Sequence, residues 1–164
     1  MFHPKCGAMS KPKISVILPV LKINFSFYQT IESILNQSFA DFELIIVVNQ
    51  PFFKINKNFF FNDPRVKIIN NFKNKSAWYS RNLGILKSST RYIAIIDSED
   101  LLHKDHLKLG MQHLENKNID VYSTNYINIY GKNIFEIRNF KKDTLTIKDI
   151  YLLNPICHSS VIFR

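Results

Sequence analysis

Unbroken runs of apolar residues mark the first part of the chain. Ile14 to Val20 (ISVILPV), Phe42 to Val48 (FELIIVV) and Arg91 to Ile96 (RYIAII) contain few polar positions. A strand that is covered on both faces needs apolar side chains on both faces, so these runs predict buried strands of a parallel sheet. Arg65 to Asn70 (RVKIIN) predicts a shorter strand of the same kind.

Helical spacing appears between these strands. From Ser26 to Gln37, four apolar residues recur at the spacing of one helical face, with Ser26 in position to cap the helix. These four residues are Phe27, Ile31, Ile34 and Leu35. Ser76 to Lys87 and Asp105 to Asn116 predict two more helices. Alternating strands and helices are typical of an α/β fold with a mostly parallel sheet, in which ligands bind beyond the carboxyl ends of the strands.

The pattern changes after Asp120. Val121 to Tyr130 and Ile134 to Arg138 alternate apolar and polar residues around a Gly-Lys-Asn turn, which predicts an antiparallel hairpin. A short helix is expected over Ile147 to Leu153 and a last strand over Ser159 to Phe163. That strand would leave an open sheet edge, which a covering segment or a second subunit would protect.

Composition is that of a single globular domain. Of the 164 residues, 46% are hydrophobic and 21% are charged, which is too apolar for a disordered chain. We expect a flexible segment over residues 1–12 and one domain over 13–164. The two distant cysteines, Cys6 and Cys157, predict neither a disulfide framework nor a zinc site, and free thiols indicate a reducing compartment.

The formal net charge of +9 favours anionic partners. Codon bias in an AT-rich genome explains the charge equally well. The lysines are scattered rather than gathered into a stripe, so nucleic-acid binding is disfavoured. No apolar run has the length of a signal peptide or a membrane span. The sequence therefore predicts a cytoplasmic protein, and it leaves open a peripheral contact with the inner face of the membrane.

An acidic cluster carries the strongest chemical signal. Asp97, Glu99 and Asp100 follow directly after a buried strand, in a chain with only 13 acidic residues. Neighbouring carboxylates repel one another, and a divalent cation such as Mg²⁺ or Mn²⁺ would relieve that repulsion and hold a diphosphate. The alternative is a solvated acidic turn that caps the next helix.

Five segments, in order, resemble glycosyltransferase family 2. The acidic cluster with the preceding strand resembles the Asp-x-Asp-Asp segment of that family. The others are similar to its opening strand, its first helix with the second strand, its Ala-Arg-Asn-x-Gly helix and a segment near the end. In this sequence these four are Ile14 to Val20, Ser33 to Ile45, Ser80 to Ile85 and Asn154 to Val161.

The resemblance spans about Lys13 to Arg164 and implies a GT-A fold, a Rossmann-like α/β architecture. Family members transfer a sugar from a nucleotide-sugar donor, usually with inversion, to acceptors that here would be a cell-surface glycan or its lipid-linked precursor. The resemblance places Pro19 and Val20 beside the nucleotide base and Arg81 near the nucleotide. It further places Asp97 near the ribose and the metal.

By the same resemblance Glu99 is the direct metal ligand. The cofactor would be Mg²⁺ or Mn²⁺, and with Arg81 it would neutralise charge on the leaving diphosphate.

Three features depart from the family pattern. Leu21 and Lys22 stand where Tyr-Asn is common, and Val48 and Asn49 stand where the second strand usually ends in two aspartates. Asn49 remains able to hydrogen-bond a base edge, with other donor and acceptor preferences. The general base is expected beyond the segment that ends at Arg164. A GT-A domain that is truncated at its C-terminal end or degenerate, and that binds nucleotide or a partner without catalysis, is therefore the alternative function.

Several further residues have two interpretations. His158 would contact substrate, or it would be an ordinary histidine at a strand end. His103, His106 and His113 are interpreted as surface residues around one helix. Trp78 is interpreted as a core residue.

Overall fold

A computed structural model gives the structure of the protein. It describes residues 11–49, 62–71, 76–116, 119–130, 133–138, 145–146, 148 and 156–164. The helices are α1 (Phe25–Leu35), α2 (Ala77–Lys87) and α3 (His106–Asn116). The strands are β1 (Ile14–Val20), β2 (Phe42–Val48), β3 (Val66–Asn70), β4 (Tyr92–Ile95), β5 (Val121–Ser123), β6 (Tyr126–Tyr130), β7 (Asn133–Arg138) and β8 (Val161–Phe163).

Six strands form the central sheet, in the order β3-β2-β1-β4-β8-β5. The first four are parallel, whereas β8 runs antiparallel to both β4 and β5. The predicted α/β architecture with a mostly parallel sheet is confirmed. The strands predicted over Ile14 to Val20 and Phe42 to Val48 are observed with those bounds.

Helices cover both faces of the sheet. Even-numbered positions along β1 and β2 pack on one face with α1 and α3, as Val16 and Leu44 show, while Ile17 and Ile45 pack on the face that α2 covers. This alternation follows from the pleat of a strand. Gly84 of α2 lies so close to β1 that a Cβ built on it would be 2.3 Å from Ile17 Cγ2. The absence of a side chain at Gly84 therefore permits the close approach of α2 to the sheet.

Pro19 occupies a position in β1 where a missing N–H does no harm. Pairing of β1 with β4 ends at Ile17 and Ile95, and the Ile17 carbonyl accepts a hydrogen bond from the Ile96 N–H at 3.0 Å. Pro19 lies two residues further along, on the same side of the strand, where β4 no longer runs beside β1. The carboxyl end of β1 therefore extends beyond the end of β4.

The region after Asp120 differs from the prediction. The single strand predicted from Val121 to Tyr130 is two strands in different sheets, because β8 pairs with β5 over only three positions. Strand β6 instead pairs with β7 in a separate two-stranded antiparallel sheet, which confirms the hairpin. Its turn residues 131 and 132, the helix predicted over Ile147 to Leu153 apart from Lys148, and most of the segment 1–12 lie outside the described residues.

Other expectations are wrong in detail. Asn24, not Ser26, caps α1, since its side chain accepts from the Phe27 N–H at 3.0 Å. Trp78 is 61% exposed and not in the core, since it lies on the outer side of α2. His106 is only 5% exposed and faces Tyr122 with a ring separation of 6.1 Å, so it is not a surface residue.

Candidate functional site

The carboxyl ends of the parallel strands meet at one edge of the sheet. The Asn49 N–H donates to the Val20 carbonyl at 3.0 Å, and the Asn71 N–H donates to the Val48 carbonyl at 2.8 Å. Asp97 follows two residues after β4 at the same edge. The structure thus brings Pro19, Val20, Asn49 and Asp97 to one edge, in the arrangement that a parallel sheet uses for ligand binding.

Asp97 is joined to α2 by an ion pair. Asp97 lies on the α2 face, because it continues the alternation of Ile93 and Ile95 along β4. Arg81 Nη2 donates to Asp97 Oδ1 at 2.6 Å. Within the described residues, the buried Arg81 Nε has no hydrogen-bond partner. A half-exposed carboxylate and an immobilised cation therefore stand side by side at the end of β4.

Glu99 is held from the start of α1. Asn24 accepts the capping bond of this helix with its Oδ1 atom and donates to Glu99 Oε1 with its Nδ2 atom, at 3.1 Å. The sequence analysis did not foresee this role of Asn24. An Asn three residues before a helical apolar face is a standard capping signal that would have found the cap, although not the contact with Glu99.

Asp100 is held from the end of the chain. The Ser159 hydroxyl donates to Asp100 Oδ2. Ser159 Oγ also accepts a hydrogen bond from the Asp97 N–H at 3.0 Å. Ser159 belongs to a short 3-10 helix, His158–Ser160, so the strand predicted over Ser159 to Phe163 is observed only from Val161. Hydroxyl bonds to nearby groups offer the backbone this alternative to the strand. The family resemblance includes the segment Asn154 to Val161, but it gave Ser159 no role of its own.

The three carboxylates of the acidic cluster would need a further ligand, such as a substrate phosphate, to complete the coordination of a cation. Among the residues that the structure describes, no group of three or more His, Cys, Asp or Glu side chains could hold a metal ion on its own. Mg²⁺ in particular is commonly held by one or two carboxylates together with substrate phosphates. The hard oxygens of Asp97 and Glu99 fit that use, and their role as metal ligands stays a prediction.

Asn49 takes part in a buried polar cluster. Its Oδ1 atom accepts from Asn71 Nδ2 at 3.1 Å and from the Ser80 hydroxyl, and Asn71 Nδ2 also lies 3.1 Å from the Ser80 hydroxyl. The cluster ties the ends of β2 and β3 to α2. The oxygen of Asn49 is therefore used within the fold, and its predicted contact with a base stays a prediction.

The segment before β8 brings two more polar groups near the acidic residues. His158 is exposed, and the structure does not decide between its two interpretations. Burial raises the pKa of the neighbouring Cys157 thiol, and the charges of Asp100 and Asp97 raise this pKa further. Cys157 is therefore a neutral thiol near pH 7, which is unsuited to act as a nucleophile.

Comparison with known proteins adds the family. Residues 15–163 match the model of Glycosyl transferase family 2. The chain is 38% identical over 117 residues to an uncharacterized glycosyltransferase of Rickettsia bellii, a match that covers 70% of this chain and 17% of that protein. It is 28% identical over 117 residues to the UDP-Glc:alpha-D-GlcNAc-diphosphoundecaprenol beta-1,3-glucosyltransferase WfgD of Escherichia coli. That match covers 69% of this chain and 45% of WfgD.

The fold is similar to that of a solved structure. The crystal structure of S. aureus TarS superposes with a TM-score of 0.75 at 21% identity, covering 93% of this chain and 47% of that one. TarS has also been solved in complex with UDP-GlcNAc. The chain thus spans about half or less of the length of these proteins.

None of the described helices has the length and apolar character needed to cross a lipid bilayer. The chain belongs to glycosyl transferase family 2, and its fold is of the GT-A kind.

Proposed function

We propose that this member of glycosyl transferase family 2 binds a nucleoside-diphosphate sugar at the carboxyl edge of its parallel sheet and transfers the sugar. One observation carries the proposal. The Arg81–Asp97 ion pair and the Glu99 carboxylate stand together at the end of β4, where α/β sheets bind ligands.

Arg81, Asp97 and Glu99 would contact different parts of the nucleotide-sugar donor. Arg81 supplies a fixed positive charge for the diphosphate, and its planar fork is suited to phosphate oxygens. Asp97, oriented by Arg81, has a second oxygen to accept a hydrogen bond from the ribose. Glu99 and Asp97 would hold Mg²⁺ or Mn²⁺, which, when bound, neutralises charge on the diphosphate.

The proposed reaction is a single displacement. An acceptor hydroxyl oxygen forms a bond to the anomeric carbon, and the bond from that carbon to the diphosphate oxygen breaks. The electron pair leaves with the nucleoside diphosphate, and the anomeric configuration inverts. The hydroxyl proton passes to a general base. An arginine beside the leaving diphosphate stabilises the charge that develops there.

The comparisons support a nucleotide-sugar donor and a glycan acceptor. TarS has been solved with UDP-GlcNAc, and the name of WfgD states a UDP-glucose donor with a sugar linked to diphosphoundecaprenol as acceptor. We propose an acceptor of the same class, a cell-surface glycan or its lipid-linked precursor. The net charge of +9 favours the anionic phosphates of donor and acceptor alike.

Calorimetric titration of UDP and GDP tests the donor site. Binding is expected with Mn²⁺ present and is expected to disappear with a chelator. Asp97→Ala and Glu99→Ala should each weaken it by at least about tenfold, since loss of even an outer partner of a metal site costs about 10–100-fold.

Glu115→Ala is the matched control for these two variants. It also removes a half-exposed carboxylate, but this one pairs with Lys13 just before the amino end of β1, at 3.2 Å. Equal binding by wild-type protein with and without the cation would contradict the proposed use of the cation. Failure of the folded protein to bind either nucleotide would overturn the donor site.

A non-catalytic nucleotide-binding domain is the second candidate function. Asn49, which stands where the family usually has a carboxylate, is buried and uses its oxygen within the protein. Nucleotide binding without sugar transfer, measured with the full-length gene product and a panel of lipid-linked acceptors, would favour this candidate. Release of nucleoside diphosphate coupled to acceptor glycosylation would exclude it.

A further inference from the structure

Ser159 bridges the two ends of the acidic turn. The turn runs from Asp97 to Asp100, and the Asp100 N–H donates to the Asp97 carbonyl at 3.1 Å. The Ser159 oxygen accepts from the Asp97 N–H, which opens the turn, and its hydrogen goes to the Asp100 carboxylate, which closes it. One hydroxyl therefore joins the first and last residues of the turn.

This hydroxyl is held in place from behind. Ser159 is 7% exposed, and the residues that follow it enter β8, where Ile162 pairs with Ala94 and Phe163 pairs with Ile93 of β4. The hydroxyl and the acidic turn are thus mounted on adjacent strands of the same sheet. Because the Ser159 hydroxyl is fixed before any ligand arrives, the acidic turn needs no reorganisation when a ligand binds. The turn is therefore preorganised.

The three carboxylates of the turn have three different partners. Arg81 of α2 binds Asp97, Asn24 at the start of α1 binds Glu99, and Ser159 binds Asp100. Carboxylates this close repel each other, and each donor lowers that cost. Because Ser159 accepts from the Asp97 N–H and donates to the Asp100 carboxylate, it holds the backbone between them, which carries Glu99.

We propose that Ser159 is a positioning residue of the donor site, which fixes the acidic turn in the conformation that binds the nucleoside diphosphate and its cation. The inference rests on the proposed function for its ligand. It goes beyond that function by making donor binding depend on a residue 62 positions after Asp97, in the segment that leads into β8.

Ser160 provides a matched control within the same turn of helix. It is 5% exposed, but its hydroxyl donates to the Cys157 carbonyl at 2.8 Å and lies 3.0 Å from the Ser123 hydroxyl. Neither contact touches the acidic turn. Ser159→Ala and Ser160→Ala therefore remove the same atom at the same depth from the surface, and only the first removes a contact with Asp97 and Asp100.

Amide hydrogen exchange of the free protein tests the contact without any ligand. Ser159→Ala should speed exchange of the Asp97 N–H by about threefold to tenfold, the effect expected from losing one hydrogen bond. Ser160→Ala should leave this amide within about twofold of wild type. Equal exchange at Asp97 in the two variants would overturn the inference.

Titration of UDP with Mn²⁺ then tests the consequence for binding. Ser159→Ala should weaken binding by about 10–100-fold, as outer partners of metal sites do, and Ser160→Ala should change it little. Asp100→Ala removes the hydrogen bond between Ser159 and Asp100 by changing an exposed residue. It therefore keeps the test valid if the buried Ser159→Ala variant fails to fold. The double variant should bind no more weakly than Ser159→Ala alone, since that variant has already lost the link between Ser159 and Asp100.

The two failures are distinguishable. If wild-type protein binds UDP with Mn²⁺ and Ser159→Ala binds equally well, the positioning role is wrong while the donor site stands. If wild-type protein binds no nucleotide, the proposed function is wrong, and a change in Asp97 exchange confined to Ser159→Ala still supports the fixing of the turn.

Discussion

The two ends of the central sheet both hold carboxylates, but they are built in opposite ways. At the amino end, Glu43 of β2 is buried and fully provided with donors. It accepts from Ser15 Oγ at 2.5 Å, Lys67 Nζ at 2.5 Å, and Ser89 N and Oγ at 3.0 and 3.1 Å. Nearly all of the acceptor capacity of this carboxylate is used inside the protein.

At the carboxyl end, the acidic turn is exposed or half-exposed and sparsely partnered. Within the described residues, Asp97, Glu99 and Asp100 each accept one side-chain hydrogen bond. Each carboxylate therefore keeps acceptor capacity toward solvent. A carboxylate that is saturated with donors stabilises the fold, whereas one with spare oxygens is available to a ligand.

The largest expected effect comes from removing the saturated carboxylate. Glu43→Ala should lower the free energy of unfolding by about 3 kcal/mol, because the buried Ser15 hydroxyl and the part-buried donors of Ser89 lose this acceptor. Urea denaturation measures this loss. Glu115→Ala, which removes an exposed ion-pair partner, should cost less than about 1 kcal/mol. Equal effects of the two substitutions would contradict the contrast between a carboxylate saturated with donors and an exposed carboxylate.

An acid titration gives the next largest effect. Burial works against ionisation of Glu43, but the hydrogen bonds from Lys67, Ser15 and Ser89 outweigh it and hold its pKa below the ordinary 4.5. Folding therefore favours the charged form. The stability that this charge contributes is present above pH 4.5 and is lost as the pH falls through the folded pKa. Unfolding free energies measured from pH 7 to pH 3 should show a loss below pH 4.5 that is smaller in Glu43→Gln than in the wild-type protein.

A second titration must be separated from that of Glu43. Burial, assisted by the nearby charge of His103, lowers the pKa of His106 from 6.5 to about 4. Folding favours neutral His106, so its contribution is complete above pH 6.5 and declines as the pH falls toward 4. Measured in a His106→Leu background, the loss between pH 6.5 and 4.5 should diminish and the loss below pH 4.5 should remain. In that background, a loss below pH 4.5 that is as large in Glu43→Gln as in the parent would refute the assignment to Glu43, whereas a smaller remaining loss is expected from Asp63, whose pKa is also lowered.

The smallest effect on stability is expected at the acidic turn. Glu99→Ala should change the free energy of unfolding by no more than about 0.5 kcal/mol, because an exposed carboxylate with one weak partner contributes little. The same substitution should abolish cation-dependent binding of UDP. A loss of stability as large as that of Glu43→Ala would show that Glu99, like Glu43, stabilises the fold.

Local pattern was enough to predict the sheet. The apolar runs of β1 and β2 predict their bounds, because a parallel strand covered on both faces leaves a signal at every position. The signal fails where pairing is short. Val121 to Tyr130 looks like one strand, yet it divides after Ser123 because β8 offers a partner over only three positions. Nothing within the segment itself reports the length of its partner.

The same division holds for the candidate site. Asp97, Glu99 and Arg81 were predicted from sequence, since the acidic run and the matching helix motif are local. Alternation along β4 also predicts that Asp97 faces α2. Asn24 and Ser159 were not predicted, because they meet the acidic turn across 75 and 62 residues of sequence. A serine or an asparagine has no pattern that names so distant a partner.

What the sequence determined by itself is therefore the order of the elements, the faces of the strands and the presence of an acidic run after β4. These follow from periodicity and from the chemistry of single side chains. Only the tertiary structure decided which carboxylates are saturated and which remain open. That distinction depends on donors brought from other elements by chain packing, as Lys67 and Ser89 are brought to Glu43, and packing is not written in any one segment.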